Sequence, residues 1–83
     1  MSYVITHSSR PGLLTGFNSN GGWKIEDVFC FSKLSWITFK TEKEAQNKIT
    51  FIIKDCEQQR ERWGDWTDIA LKFAKKLNYS KRD

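Results

Sequence analysis

The longest patterned segment of the chain runs from Thr41 to Trp63 and reads TEKEAQNKITFIIKDCEQQRERW. Thr41 precedes Glu44 by three residues, the spacing of a capping box, in which the threonine oxygen accepts a hydrogen bond from the glutamate amide. We therefore expect a helix to begin at Glu42. Steps of about 100° per residue place one apolar stripe on its core side. The stripe consists of Ala45, Ile49, Ile52, Cys56 and Trp63, with Ile53 at its margin and Phe51 off it.

A second helix is predicted after Gly64, where Asp65 is placed to cap it. Its apolar stripe consists of Trp66, Ile69, Ala70, Phe73 and Leu77, and Asn78 ends it. Because one glycine costs only about 1 kcal/mol inside a helix, the sequence allows either two helices or one kinked helix. We expect residues 79–83 to form a frayed tail.

Short β-branched and aromatic runs precede the helices, with turn residues between them. These runs predict strands at residues 3–7, 13–17, 23–31 and 36–39. The Asn20-Gly21 step favours a hairpin turn, so the third strand should return antiparallel to the second. Asp27 falls on the apolar face of that third strand, and we expect a bulge or break near it. The predicted fold class is α+β, a small antiparallel sheet of three or four strands followed by two C-terminal helices.

The size of the chain indicates a single domain over residues 1–83, since 83 residues cannot build two cores. Four Trp, six Phe and two Tyr supply large core side chains. We interpret Cys30 and Cys56 as reduced core residues, and a disulfide between them is the alternative. One histidine and two separated cysteines do not make a structural zinc site, so we expect neither a metal nor a cofactor.

The chain is expected to be cytoplasmic and not to enter a membrane. No run of about eighteen apolar residues occurs, and 29% of the residues are charged. The N-terminus lacks the basic and long apolar regions of a secretion signal.

The net charge of +4 lies entirely in the last twelve residues. Residues 1–71 hold nine basic and nine acidic side chains, whereas residues 72–83 hold five basic and one acidic. We expect the basic side chains to form a strip at one corner that binds an anionic partner such as nucleic acid. The alternative is that they complement the helix dipole and keep the protein soluble. The strip consists of Lys72, Lys75, Lys76, Lys81 and Arg82.

Two further arginines, Arg60 and Arg62, lie just before Trp63 and Trp66. Guanidinium groups beside aromatic rings are typical of single-stranded nucleic-acid binding, so both arginines join the candidate anion-binding residues. The alternative is that the two tryptophans fill the core and the corner between the helices.

Three aromatic side chains are candidates for protein interaction. Along the predicted strand, Trp36 points to one face, whereas Ile37 and Phe39 point to the other. One of these two faces is exposed or covered by something else. Phe51 lies off the helical stripe and joins Trp36 if that face is exposed. Aromatic anchors of this kind carry much of the energy of protein interfaces. The candidates are Trp36, Phe51 and Trp63.

Catalysis has little support in the sequence. His7 is the one histidine, and Ser8 and Ser9 follow it. Neighbours on a strand point to opposite faces, however, and no orienting carboxylate is evident. We expect an ordinary histidine at a strand end, no catalytic residues and no enzymatic activity.

A resemblance to a protein class rests on three segments: Tyr3-Val4-Ile5, Leu14-Thr15-Gly16-Phe17, and, after a turn and Trp23, Phe39-Lys40-Thr41-Glu42-Lys43-Glu44-Ala45. This order resembles the layout of short phage-encoded accessory proteins, in which a hairpin and a strand lead into an F-x-T-x-x-E-A helix start. The resemblance covers residues 3–53 and implies action in a bacterial cytoplasm during infection, on host nucleases, toxins or defence complexes. Residues 29–36 and the Trp-rich second helix depart from the layout, so no functional residue is carried over.

These observations predict a non-enzymatic viral binding module that modulates or inhibits a host protein or ribonucleoprotein. The alternative is a sequence-tolerant RNA or single-stranded DNA binding protein that uses the basic C-terminal helix. The edge strands of a small sheet also permit a homodimer.

Overall fold

The computed structural model describes residues 2–20 and 24–82. This part of the chain confirms the α+β class, but its strands form two separate two-stranded antiparallel sheets, not one sheet of three or four strands. The last strand follows the helices, so the helices do not end the chain. The elements are β1 (Ser2–His7), β2 (Leu13–Phe17), α1 (Ile25–Val28), β3 (Phe29–Ser32), α2 (Glu42–Gln58), α3 (Arg60–Trp63), α4 (Trp66–Ala74) and β4 (Leu77–Arg82).

The first sheet joins the two ends of the chain. β4 pairs with β1 without interruption, from Ser2 opposite Arg82 to His7 opposite Leu77. Leu77 is buried and Tyr79 half-buried while their neighbours are exposed, which is the alternation of a strand with one covered face. The expectation of a frayed tail over 79–83 is therefore wrong for residues 79–82, and Asp83 lies outside the described residues.

The second sheet pairs β2 with β3, which confirms the predicted antiparallel return. The register shifts between Leu14 and Gly16, and the Thr15 hydroxyl donates to the Cys30 carbonyl oxygen at 3.1 Å. The break expected near Asp27 is also confirmed, because residues 25–28 form the single helical turn α1. The return strand is consequently shorter than predicted. Part of the predicted hairpin turn, residues 21–23, lies outside the described residues.

The predicted strand at residues 36–39 is not formed, because its backbone divides between the two sheets. Ile37 donates its amide hydrogen to the Leu14 carbonyl oxygen of β2 at 3.1 Å. Phe39 exchanges two backbone hydrogen bonds with Tyr3 of β1, at 2.8 and 2.9 Å. This segment therefore crosses from one sheet to the other and leads directly into α2.

The start and the buried face of α2 agree with the predicted capping box and stripe. The Thr41 hydroxyl accepts from the Glu44 amide at 3.2 Å, and the Glu44 carboxylate accepts from the Lys40 amide at 3.1 Å. Ala45, Ile52 and Cys56 are fully buried along the predicted stripe. The local cap and helical periodicity therefore suffice to position this helix.

The helices after α2 are separate, because Gly64 takes the left-handed φ of +59° between α3 and α4. The buried face of α4 is rotated from the predicted stripe, and Ile69 is 56% exposed. Asp65 stands at the helix start, but its side chain makes no capping hydrogen bond. The buried residues are Thr67, Ala70, Leu71 and Ala74.

One cluster of buried side chains draws on every described helix and strand. Ile5, Leu14 and Phe29 from the sheets meet Ile52 of α2 and Ala70 of α4 there. Every element thus contributes to a single core.

The two cysteines have different environments and are both reduced. Cys56 is buried in the core, where desolvation raises the pKa of its thiol to about 12. Cys30 is exposed on β3, so the prediction that it is a core residue is wrong. The alternative prediction, a disulfide between Cys30 and Cys56, is wrong because both thiols are free.

Within residues 2–20 and 24–82, no helix combines the length and the apolar character that crossing a bilayer requires.

Candidate functional site

A pocket of about 350 Å³ opens where the end of β1 meets α1 and α4. Its lining combines apolar, basic and hydroxyl side chains from segments far apart in the sequence. The lining residues are His7, Ser9, Ile25, Ile69, Lys72, Phe73 and Lys76. We refer to them as the β1–α4 pocket.

His7 fixes one wall of this pocket. Its ring lies on that of Phe73, with centroids 3.8 Å apart and planes 12° apart. Its Nε2 lies 2.8 Å from the Phe73 carbonyl oxygen, and its Nδ1 accepts from the Ser9 amide at 3.0 Å. An amide can only donate and a carbonyl can only accept, so the neutral ring carries its proton on Nε2.

The protonation of His7 follows from its surroundings. Burial lowers the pKa of the imidazole, the hydrogen bond to Phe73 opposes this effect, and the charges of Lys76 and Arg10 lower the pKa further. Both ring nitrogens are engaged within the fold. The side chain therefore holds Ser9 and Phe73 in place as a neutral group.

The rim of the β1–α4 pocket is basic. Lys72 lies on the last turn of α4 and Lys76 follows the helix end. Neither makes an ion pair with any described residue. Arg10 adds a third cation near the rim, 5.7 Å from the Phe73 ring centroid, but it pairs with Glu26 at 3.1 Å. Lys72 and Lys76 are thus available to an anionic partner.

The remaining wall of the pocket is apolar. Ile25 and Phe73 are half-buried there, and Ile69 is exposed at the mouth. An apolar surface flanked by unpaired cations accommodates an apolar side chain that arrives with negative charges beside it.

A second, smaller pocket of about 230 Å³ shares no lining residue with the first. The Arg82 guanidinium carbon lies 4.6 Å from the centroid of the Trp36 ring. We call this second pocket the Trp36–Arg82 pocket. Its lining residues are Gly12, Leu13, Lys33, Trp36 and Arg82.

The structure divides the basic strip expected at one corner. Lys72 and Lys76 line the β1–α4 pocket, and Lys75 is exposed between them. Lys81 and Arg82 lie at the far end of β4, and Arg82 is five positions beyond Leu77, about 17 Å along an extended strand. The expectation of one continuous corner patch is therefore wrong.

Arg60 and Arg62 are engaged in contacts within the fold. Arg60 pairs with Asp68 at 3.0 Å. Arg62 donates to the Asn20 side-chain oxygen at 2.8 Å and to the backbone oxygens of Ser19 and Asn20. These bonds tie α3 to the segment after β2, which supports a structural role for Arg62.

The aromatic candidates occupy three different environments. Trp63 is only 4% exposed and packs edge-on against Trp66, so it belongs to the core and is wrong as an interaction candidate. Phe51 is 56% exposed on α2, with the Lys48 ammonium 5.2 Å from its ring centroid. Trp36 is half-buried in the second pocket.

Several residues of the β1–α4 pocket were absent from the candidate residues predicted by the sequence. The sequence pattern places Ile69 and Phe73 in the core stripe of the second helix, and it places Ile25 in a strand. His7 was singled out as the one histidine, but nothing local indicated that it would stack on Phe73. The pairing of β1 with β4 sets His7 opposite Leu77, and His7 thereby lies beside the end of α4.

In the part of the chain that the structure describes, no three His, Cys, Asp or Glu side chains gather where they could hold a metal ion. Comparisons with known proteins give no relative: no protein-family model, no curated protein and no solved structure matches this chain.

Proposed function

We propose that this chain is a non-enzymatic viral binding module that acts in the bacterial cytoplasm by binding and modulating a host protein or ribonucleoprotein. The observation that carries the proposal is the β1–α4 pocket, whose apolar wall stands beside two unpaired lysines. Its favoured occupant is an apolar side chain on an acidic segment of the partner protein. The sequence resemblance to phage accessory proteins supports the viral setting.

The arrangement of His7 and Ser9 supports binding over hydrolysis. The Ser9 hydroxyl oxygen lies 2.9 Å from Nδ1 of His7, a distance that a serine nucleophile and its base would show. The single lone pair of Nδ1, however, already accepts from the Ser9 backbone amide. The imidazole therefore serves the local turn, and the pocket is proposed as a recognition surface.

The energetics of the pocket suit a protein partner. Lys72 and Lys76 lie at an exposed rim, where charges mainly steer encounter and select partners of opposite charge. The apolar wall of Ile25, Ile69 and Phe73 supplies the area that holds a buried anchor. An acidic segment without an apolar anchor would gain only the weak, salt-sensitive part of this interaction.

The test is site-specific photo-crosslinking in bacterial lysate treated with nuclease. A benzoylphenylalanine replaces Ile69 at the mouth of the pocket, and a control chain carries it in place of the exposed Glu57. We expect one protein to be crosslinked from position 69 and not from position 57. The same band from both positions, or no band from either, would refute the proposal.

Charge variants sharpen this experiment. The double variant Lys72→Glu/Lys76→Glu should lose the crosslinked band, whereas Lys43→Glu/Lys54→Glu, on the exposed side of α2, should retain it. Circular dichroism of both variants checks that each still folds. Equal crosslinking by the two double variants would contradict a role for the basic rim.

The alternative, a sequence-tolerant RNA or single-stranded DNA binder, uses Lys72, Lys75 and Lys76 to contact phosphates. It predicts that position 69 captures material in untreated lysate and that this material is lost when the lysate is treated with nuclease. That outcome would replace the protein partner with nucleic acid at this pocket.

A further inference from the structure

The Trp36–Arg82 pocket brings together two residues that no local signal connects. Trp36 comes from the segment that crosses between the sheets, and Arg82 from the end of β4. The guanidinium lies 4.6 Å from the indole centroid, within the range of a cation–π contact. This contact restrains Arg82 while the N–H groups at the edge of its guanidinium plane remain able to donate.

The charge of this pocket is positive. Among the described residues, Lys33 and Arg82 line it and no acidic residue does. Neither cation makes an ion pair with any described residue, although two arginines elsewhere on the surface do. Two unpaired cations around an aromatic ring match the requirements of a phosphate joined to a planar base.

Gly12 lines one side of the pocket with its backbone. Its φ is +86°, and a Cβ placed there would lie 2.8 Å from the Ser32 carbonyl oxygen. The backbone therefore excludes a side chain at Gly12. With a volume of about 230 Å³, the pocket has room for a single small planar group.

We propose that the Trp36–Arg82 pocket binds one nucleotide of single-stranded nucleic acid, with its base on the exposed face of the Arg82 guanidinium, which Trp36 supports from behind, and its phosphate between the guanidinium edge and Lys33. A paired duplex does not offer a base face to such a pocket, whereas an unpaired strand does. An acidic peptide would satisfy the cations but leave the exposed face of the guanidinium unused. This site goes beyond the protein-binding function proposed above and does not depend on it.

The experiment measures fluorescence anisotropy of fluorescein-labelled twelve-nucleotide oligouridine and oligothymidine at 50 and 200 mM salt. Trp36→Leu removes the aromatic plane and should weaken binding roughly 5- to 150-fold, the range found when a stacking residue is lost. Trp36→Phe should restore most of the binding. Lys54→Ala, on exposed α2, serves as the matched control and should bind like the wild type.

Arginine variants separate stacking from charge. Arg82→Lys keeps the charge but loses the planar donor edge, so it should bind more weakly than the wild type and more tightly than Arg82→Ala. Urea unfolding midpoints of all variants identify any loss of folding. Since Arg82 is exposed, Arg82→Ala should remain folded even if Trp36→Leu does not.

Three results would overturn the proposal: no measurable oligonucleotide binding by the wild-type protein, equal binding by wild type and Arg82→Ala, or equal competition by a double-stranded oligonucleotide of the same length. Loss of binding in Lys72→Ala/Lys76→Ala but not in Trp36→Leu would likewise place the oligonucleotide at the other pocket. The first three results do not bear on crosslinking from position 69, so the proposal for this pocket can fail while the protein-binding proposal stands.

Discussion

His7 lies flat on Phe73 and also hydrogen-bonds to the carbonyl oxygen of that same residue, with ring centroids 3.8 Å apart and an Nε2 to oxygen distance of 2.8 Å. The end of β1 is thereby attached to the last turn of α4. The amide of Lys76 also donates to this carbonyl oxygen, at 3.1 Å. One backbone oxygen thus connects the wall and the basic rim of the β1–α4 pocket.

Stability should decrease as the pH falls below 6.5, the ordinary pKa of histidine. Burial lowers the pKa of His7 in the folded chain, so the unfolded chain takes up the proton first. The contribution of neutral His7 to the free energy of unfolding is therefore complete above pH 6.5, and it is lost on acidification. The slope cannot exceed about 1.4 kcal/mol per pH unit for one proton.

Urea unfolding at intervals between pH 7.5 and 5.5 measures this slope. His7→Gln should flatten it, whatever the variant does to stability at pH 7.5, because this chain contains one histidine. A wild-type slope that persists in His7→Gln would show that another group is responsible.

The strand β4 should be essential for folding. Leu77 is 6% exposed, and Leu77→Ala should cost about 2–5 kcal/mol in the free energy of unfolding. Lys81→Ala, an exposed change on the same strand, should have little effect. A chain that ends at Asn78 should lose its cooperative unfolding transition. Full stability of that shortened chain would show that residues 79–82 are frayed after all.

Gly12 should resist substitution and Gly16 should tolerate it. Gly12→Ala combines a left-handed φ with a Cβ 2.8 Å from the Ser32 oxygen, and should cost more than about 1 kcal/mol. A Cβ added at Gly16 would have no atom within 4 Å, so Gly16→Ala should leave the stability nearly unchanged. Thermal and urea unfolding of the two variants make the comparison. Similar stability of both would contradict the geometry at Gly12.

The two thiols should react at very different rates. Cys30 is exposed, whereas Cys56 is buried and its pKa is raised to about 12, so its reactive thiolate is scarce at neutral pH. With a disulfide reagent at pH 8, one thiol per chain should react rapidly and the second only after unfolding. Cys30→Ser should remove the rapid phase, and a rapid phase that survives would place Cys56 at the surface.

Local patterns predicted the parts of the fold that local physics controls. The cap at Thr41 and the buried positions Ala45, Ile52 and Cys56 follow from hydrogen bonding and helical periodicity over a few turns. The pairing of Ser2 with Arg82 spans the length of the chain, and no turn signal connects these strands. The sequence alone therefore predicts a frayed tail over residues 79–83.

The candidate site was predictable to a similar extent. Lys72 and Lys76 were identified from the charge asymmetry, and the structure places both at one pocket. Ile69 belongs to the apolar stripe predicted for the second helix, but the structure leaves it exposed. The left-handed φ of Gly64 separates the helices, and no residue pattern specifies the rotation that exposes Ile69.

The most direct test of the central proposal uses isotope-labelled protein and two acidic peptides. Both alternate Glu and Asp over nine residues, and one carries a phenylalanine at its centre where the other carries a serine. We expect the phenylalanine peptide to shift the amide resonances of Ile25, Ile69, Lys72 and Phe73 in wild-type protein, but not in Lys72→Glu/Lys76→Glu. Identical responses to the two peptides, or shifts confined to residues outside the β1–α4 pocket, would contradict recognition of an apolar anchor on an acidic partner.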